Sequence, residues 1–424
     1  MTQAQAVAGV RDPLGTMCDY PTRAAAQRGG KPRAESASAE RFGLMRTASG
    51  LLWDRSAGPK QPYRVVHCQR SMLGDLVGVY RAQDGSRGSF TGLMTCGSVW
   101  HCPVCAHKVA EGRAGELRAA HAQHVKAGGR VVLMTYTFPH ERDEPLADLV
   151  AKLDQARQRF KNSRTYKRTT TAAGRIGSVC AAEVTYGGNG WHPHLHELTY
   201  QAREFTAAEA EELRGAWVRI CLKVGLADQS DVTDLALHGL DIRGGDKAAD
   251  YVHKFGKEER WGVSSEVTGL HAKRAGQGHY KPFNLLALAR AGEQWARERF
   301  TEYAHVFHAK RWVTWSPGLR RRFDLAEVED QELAELPERD YVGKLTADQW
   351  RAVLRADAQA EILEYAAQFC IDPGSAQADL DDFVRHLEGR PRRARGWFAE
   401  SMGEWRPGVG WVRLNSDGTP RLFS

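Results

Sequence analysis

The sequence predicts an α+β protein: an antiparallel sheet with helices packed on one face, preceded by a four-cysteine module and followed by a helical C-terminal region. Three observations carry this. Residues 179–186 and 191–200 are rich in strand formers, and Gly187-Gly-Asn-Gly190 between them is turn chemistry, so the pair reads as a β-hairpin. Around it the apolar patterns run strand, helix, strand, strand, helix, strand, which is the split βαβ, ferredoxin-like plan. Ahead of it stand Cys68, Cys96, Cys102 and Cys105. In a reducing compartment such a group points to a metal and not to disulfides.

Composition narrows the class. A chain of 424 residues has room for two or three domains. A net charge of +7 and a pI near 9.0 are compatible with a nucleic-acid partner without requiring one. No run of about 18 apolar residues occurs, so no membrane helix and no membrane partner are expected. The N-terminal stretch lacks the apolar core of a signal peptide, and a cytoplasmic protein is expected.

Taken in order, residues 1–60 are rich in Ala, Gly, Arg, Ser and Gln and read as a disordered basic arm. Order is expected from Tyr63, and residues 61–128 form a zinc module with a connecting helix. Cys102-Pro-Val-Cys105 is a turn that presents two thiolates to one ion. Cys68 and Cys96 complete the set, with His67, His101 and His107 as substitutes for one member. Cys18, Cys180, Cys221 and Cys370 are scattered and read as ordinary residues. Residues 106–126 form a helix closed by Gly128-Gly129.

The α+β core is expected over 129–325. Residues 130–138 form a strand stopped by Pro139. An amphipathic helix follows over 146–160, then a basic stretch over 161–168 and the hairpin. Residues 206–224 are helical, with Leu213, Trp217, Ile220 and Cys221 on one stripe. Residues 235–243 read as a strand ended by Gly244-Gly245, and the double glycine opens a helix carrying Tyr251. Helices are expected over 284–303. The last segment, 326–424, reads as a helical appendage. In it the capping box Thr346-Ala-Asp-Gln349 opens a helix to about residue 369, and Arg390-Pro-Arg-Arg-Ala-Arg395 is a second basic cluster.

If the hairpin closes symmetrically, Tyr186 faces Trp191, Thr185 faces His192 and Glu183 faces His194, each pair on one sheet face. His196 shares that face because side chains alternate. A lone histidine on a strand is usually a half-buried hydrogen-bonded residue. Three alternating histidines opposite a carboxylate favour a metal site with open positions. Glu183, His194 and His196 suit zinc or a harder ion.

The second candidate is Tyr251. Ala248, Val252 and Phe255 form the buried stripe of its helix, and Lys247 and Lys254 flank it at i−4 and i+3. Those cations favour a phenolate and bind phosphate oxygens. Most tyrosines at a helix edge merely pack, so this one gains weight only from its company. Arg320, Arg321 and Arg322, close to Trp312 and Trp315, suit stacking and phosphate contact, against the alternative of a solvated basic turn.

Together these residues resemble the HUH endonucleases, and within them the rolling-circle plasmid replication initiators of actinobacteria. The resemblance covers roughly residues 63–325. It rests on Thr135-Tyr-Thr-Phe-Pro-His140, on Trp191-His-Pro-His-Leu-His196, on Tyr251-Val-His-Lys254, and on the Cys-Gly-Ser-x-Trp-x-Cys-Pro-x-Cys run at 96–105. It implies Mg or Mn at Glu183, His194 and His196. It also implies structural zinc at the four cysteines, Tyr251 as nucleophile with Lys254 beside it, and plasmid origin DNA as substrate. A host helicase and a single-strand binding protein would be partners. Related initiators carry a Glu four residues before the Tyr, where this chain has Lys247, so the group that terminates the reaction stays open. A transposase or mobilisation relaxase of the same superfamily, and a non-enzymatic zinc-stabilised DNA-binding regulator, are the alternatives.

Overall fold

Structure begins earlier in the chain than the composition suggested. The computed structural model describes residues 36–255 except 59, residues 279–388 except 369–371 and 373, and the backbone at 404–406, 410–414 and 420–421. Helix α1 (Ala37–Leu51) occupies part of the expected arm and buries Phe42, Leu44, Met45 and Ala48. The expectation fails there because Glu40, Thr47 and Ser49 are buried as well. A helix covered on several sides shows no two-sided apolar pattern. The rest of that arm up to residue 35, and the Arg390–Arg395 cluster, lie outside the described residues.

Strands β1 (Leu76–Arg81) and β2 (Gly88–Thr91) follow, then α2 (Pro103–Lys126). Helix α2 starts with proline at its first position, where the missing N–H costs nothing. Strand β3 (Arg130–Tyr136) leads to α3 (Leu146–Asn162) and α4 (Arg164–Ala172). The basic stretch at 161–168 is thus mostly helix, restarted where Ser163 accepts from the Tyr166 N–H. Strands β4 (Gly177–Gly187) and β5 (Gly190–Gln201) form the hairpin, and α5 (Ala207–Val224) opens with a capping box between Thr206 and Glu209.

The strand expected over 235–243 is only half a strand. Residues 232–238 form α6 (Val232–His238), and β6 is confined to Leu240–Arg243. Leu235, Leu237, Leu240 and Ile242 imitate alternation, but Leu237 is 68% exposed and belongs to no buried face. Helix α7 (Gly245–Lys254) comes next, then α8 (Pro282–Arg290), α9 (Gln294–Val306), β7 (Val313–Trp315), α10 (Leu319–Arg322) and α11 (Asp330–Glu335). Strand β8 (Asp340–Thr346) leads into α12 (Ala347–Arg355), α13 (Gln359–Gln368) and α14 (Ala376–Glu388). The capping box at Thr346 and Gln349 is present, but the helix it opens stops at Arg355, just before Asp357 takes a left-handed φ of 55°. Short strands β9 (Glu404–Arg406), β10 (Gly410–Leu414) and β11 (Pro420–Arg421) pair with one another.

The central sheet has the order β6-β3-β5-β4-β7, antiparallel throughout. Its first four strands nest as the split βαβ plan requires, and β7 extends the β4 edge. On one face Tyr136 packs against Phe160 of α3 and Trp217 of α5. The other face is not bare, as expected, but partly roofed. From α2, His124 Nε2 lies 3.0 Å from the Gln201 carbonyl and its ring sits on Tyr200. From α7, Tyr251 packs on His196. Nor does the C-terminal segment stand apart, because β8 pairs with β1 to give a second sheet, β2-β1-β8. Among the described residues no helix is long and apolar enough to cross a membrane.

Under the helix-covered face lies a fully buried carboxylate, Glu197. It accepts from Lys161 Nζ at 2.6 Å, from Arg157 at 3.5 Å and from the Tyr136 hydroxyl at 3.3 Å. Burial alone would raise its pKa, but the charges of Lys161 and Arg157, with hydrogen bonds from Lys161 and Ser178, outweigh that and bring it to about 2. The ordinary value is 4.5. The folded-state pKa is depressed, so the stabilisation is complete above about pH 4.5 and is lost as pH falls toward 2. Glu197→Gln should cost roughly 3–5 kcal/mol by leaving two cations without their counter-charge. Thermal unfolding between pH 7 and pH 3 should show the difference from wild type shrinking with acid.

Candidate active site

The hairpin register is the one the sequence predicts: Tyr186 opposite Trp191, Thr185 opposite His192 and Glu183 opposite His194, with the ladder continuing to Gly187 and Gly190. Gly190 holds φ at 80°, and a Cβ there would run into the carbonyl oxygen of Arg142. Glycine is therefore required twice over at the turn.

On the sheet face beneath α7, Glu183, His194 and His196 bring one ligand atom each within 4.8 Å of the others. His194 Nε2 is 3.4 Å and His196 Nε2 3.5 Å from Glu183 Oε2. Both rings thus turn the same nitrogen inward. Nδ1 of His194 is held by the His192 carbonyl at 3.3 Å, and Nδ1 of His196 lies 3.1 Å from Thr135 Oγ1. Partly buried imidazoles and a carboxylate converging on one point, with their outer nitrogens engaged, are a donor set for a divalent ion.

The histidine row continues away from this centre. His192 Nδ1 lies 2.8 Å from His140 Nε2, so one ring donates and the other accepts. Burial, followed by the neighbouring His194 and His140, lowers the His192 pKa to about 4. Reasoning from sequence assigned no role to Thr135 or His140. The signal was available, since both stand in the Thr-Tyr-Thr-Phe-Pro-His run that leads off β3.

The Tyr251 ring centroid is 4.9 Å from that of His196. Tyr251, Ala248 and Val252 are buried along α7, while Lys247 and Lys254 stay exposed on the neighbouring face. Phe255 then stacks on Trp312 at 4.9 Å and 14°, fixing the C-terminal end of the helix against the strand leading into β7. Tyrosine, imidazoles and carboxylate come together here, with two cations alongside.

The four cysteines also meet. Cys68, Cys96, Cys102 and Cys105 are buried, unbridged and mutually within 4.8 Å. Three of their Sγ–Sγ separations are 3.5, 3.5 and 3.7 Å. A tetrahedron with metal–sulfur bonds of about 2.3 Å has edges of roughly 3.8 Å, so the set fits a closed thiolate site. Backbone N–H groups of Cys96 and Cys105 point at Cys68 and Cys102 sulfurs. His101, a substitute ligand in the sequence reading, turns instead to the Ala304 carbonyl at 2.9 Å.

One assignment is corrected. Arg320, expected at a DNA surface, is 6% exposed and turned inward. It pairs with Glu116 at 2.9 Å and stacks over Trp315 at 5.0 Å. Arg321 and Arg322 remain exposed.

The chain is 28% identical to Protein rep of Streptomyces lividans over 66% of its own length and 76% of that protein. It is also 31% identical to a neomycin resistance protein of Streptomyces cyanogenus, over 25% of this chain and 30% of the other. The likeness to an actinobacterial Rep protein expected from the motifs is thus present. No family model matches, and no solved structure matches.

The two kinds of arginine at 320–322 should separate experimentally. Arg320→Ala should destabilise by about 2–3 kcal/mol, under the roughly 3–5 of an isolated buried pair because Glu116 keeps Arg113. The Arg321→Ala, Arg322→Ala double variant should keep its melting temperature. If both residues contact phosphate, it should flatten the plot of log affinity against log salt by about 0.7–0.9 per lost contact.

Proposed function

We propose that this chain initiates rolling-circle plasmid replication by nicking and religating one strand of origin DNA. The observation that carries the reading is the packing of Tyr251 on His196: a helix-borne hydroxyl beside a three-donor metal centre. The likeness to Protein rep supports the same reading.

A divalent ion, Mg or Mn, held by Glu183, His194 and His196 would polarise the scissile phosphate and neutralise charge on its oxygens. The chain's own residues do the rest. Tyr251 Oη attacks the phosphorus in line, its bond to phosphorus forms, and the bond from phosphorus to the 3′ oxygen breaks. The phenol gives up its proton, and the departing 3′ oxygen takes one up. The products are a 5′-phosphotyrosine and a 3′-OH that primes synthesis. One phosphodiester replaces another, so resealing by the reverse attack needs no nucleotide. Lys254 and Lys247, exposed beside Tyr251, hold the flanking phosphates. Tyr251 itself is 7% exposed, its ring held against His196.

Zinc at the four cysteines would be structural, since all four positions are filled by thiolates and none is open. No P-loop occurs in the sequence, so strand separation falls to a host helicase, with a host single-strand binding protein covering the displaced strand. The setting is the cytoplasm.

Tyr251→Phe keeps the ring on His196 and removes only the hydroxyl. Incubated with a single-stranded origin oligonucleotide and Mn, the wild type should give a covalent species that survives denaturing electrophoresis, and the variant none. Peptide mapping that puts the nucleotide on another residue would sink the proposal. Cys102→Ser should lose about one equivalent of zinc by elemental analysis and unfold at lower temperature, because a structural thiolate site contributes folding free energy. Unchanged zinc content and melting would remove the metal from that module.

A further inference from the structure

A neutral imidazole carries one N–H and one lone pair, and a metal takes the lone pair. His194 and His196 both present Nε2 to Glu183, so each must carry its hydrogen on Nδ1 to serve as a ligand. The backbone carbonyl of His192 enforces this for His194, because a carbonyl can only accept. A hydroxyl stands behind His196, and a hydroxyl can face either way. If Thr135 donated to Nδ1, the hydrogen of His196 would sit on Nε2 and block the ligand position.

The strand register places this hydroxyl beside His196. Thr135 is directly opposite His196 on β5 and directly opposite Asp241 on β6, so it is the middle residue of a transverse row. Directly opposed pairs have Cβ atoms about 4.5–5.5 Å apart, and of its two neighbours the Thr135 hydroxyl engages the His196 ring, at 3.1 Å. Asp241 turns both carboxylate oxygens to Arg243 Nε, at 2.8 and 3.0 Å. When Nε2 of His196 gives its lone pair to a metal, Nδ1 carries the hydrogen and the Thr135 oxygen accepts it. The other threonine of the motif has a different task. Thr137 Oγ1 donates to the His238 carbonyl at 2.9 Å and anchors the turn into β6.

We propose that Thr135 is the positioning residue that holds the His196 ring as an Nε2 metal ligand, its hydroxyl oxygen accepting from Nδ1. The inference rests on reading Glu183, His194 and His196 as a metal centre. Such outer partners tune affinity by about 10- to 100-fold. Threonine suits the place because a β-branched side chain on a strand has few rotamers to lose.

The test is Mn²⁺ affinity, measured on the full chain without DNA by titration calorimetry and Mn²⁺ electron spin resonance. Thr135→Val is near-isosteric and should weaken Mn²⁺ binding by about 10- to 100-fold. Thr135→Ser restores the hydroxyl and should bind within about threefold of wild type by the same logic. Wild-type affinity in Thr135→Val, or equal losses in Val and Ser, overturns the proposal. Should Thr135→Val not fold, the ¹⁵N shifts of the His196 ring in Mg²⁺-loaded wild type decide the matter: hydrogen on Nδ1 is expected, and hydrogen on Nε2 overturns it. His194→Ala keeps the two readings distinct. If wild type and His194→Ala bind Mn²⁺ equally, the metal centre is wrong and the role of Thr135 falls with it. If only His194→Ala loses binding, the centre stands and Thr135 is merely structural.

Discussion

The alignment of β4 against β5 decides which side chains meet on the histidine face of the central sheet. Side chains alternate along a strand, so moving β5 by one residue would carry His194 and His196 to the helix-covered face and bring Glu197 onto the face they now occupy. Both ends of the hairpin resist that slip. At the turn, Gly190 holds a left-handed conformation against the Arg142 backbone. Farther along, Glu197 is locked to Lys161 and Arg157. The buried ion pairs on one face and the open donors on the other are alternate residues of the same strand. The energetic cost of desolvating charge is met on the face away from the chemistry, which leaves the histidine face free to be polar and accessible.

A second dependence runs through α2. Its first turn is built on the cysteine cluster, where the Cys102 sulfur accepts from the Cys105 N–H. Its last turn places His124 on the edge of the central sheet, against Tyr200 and the Gln201 carbonyl. Between those ends Arg113 pairs with Asp330 at 2.6 Å and with Glu116, which in turn holds Arg320. One helix therefore connects the thiolate cluster, the sheet and the segment after β7. The four cysteines lie well away from the histidine row in sequence, yet they set the position of the helix that shares a sheet face with α7.

Much of this was legible in the sequence because it is local. The hairpin register follows from a glycine turn and a period of two, and the capping box at Thr346 follows from a spacing of three. The amphipathic helix around Tyr251 follows from Ala248, Val252 and Phe255. What escaped was non-local or disguised. Helix α1 is covered on several sides and so has no polar face to mark it. The leucines around α6 alternate by accident of composition. Arg320 looks like a surface arginine until Glu116, 204 residues earlier, is folded against it. The roles of Thr135 and His140 depend on which strands flank β3, and a motif does not carry that information.

The pairing of β8 with β1 has a consequence for how the chain is made. Tyr80 lies opposite Tyr341 and Leu76 opposite Thr346, so the edge of β1 has no partner until most of the protein has left the ribosome. The nascent chain can close the β4–β5 hairpin long before it can finish the sheet that begins before it. Long-range pairing of this kind is slow, because loop closure must come before the contacts that reward it. Throughout that interval an uncovered strand stands next to the apolar Leu76, Val77 and Val79, a template for another chain to add to. Translation order thus makes the N-terminal part of this molecule the last to be finished, and high-level expression in a foreign host will bear hardest on that edge.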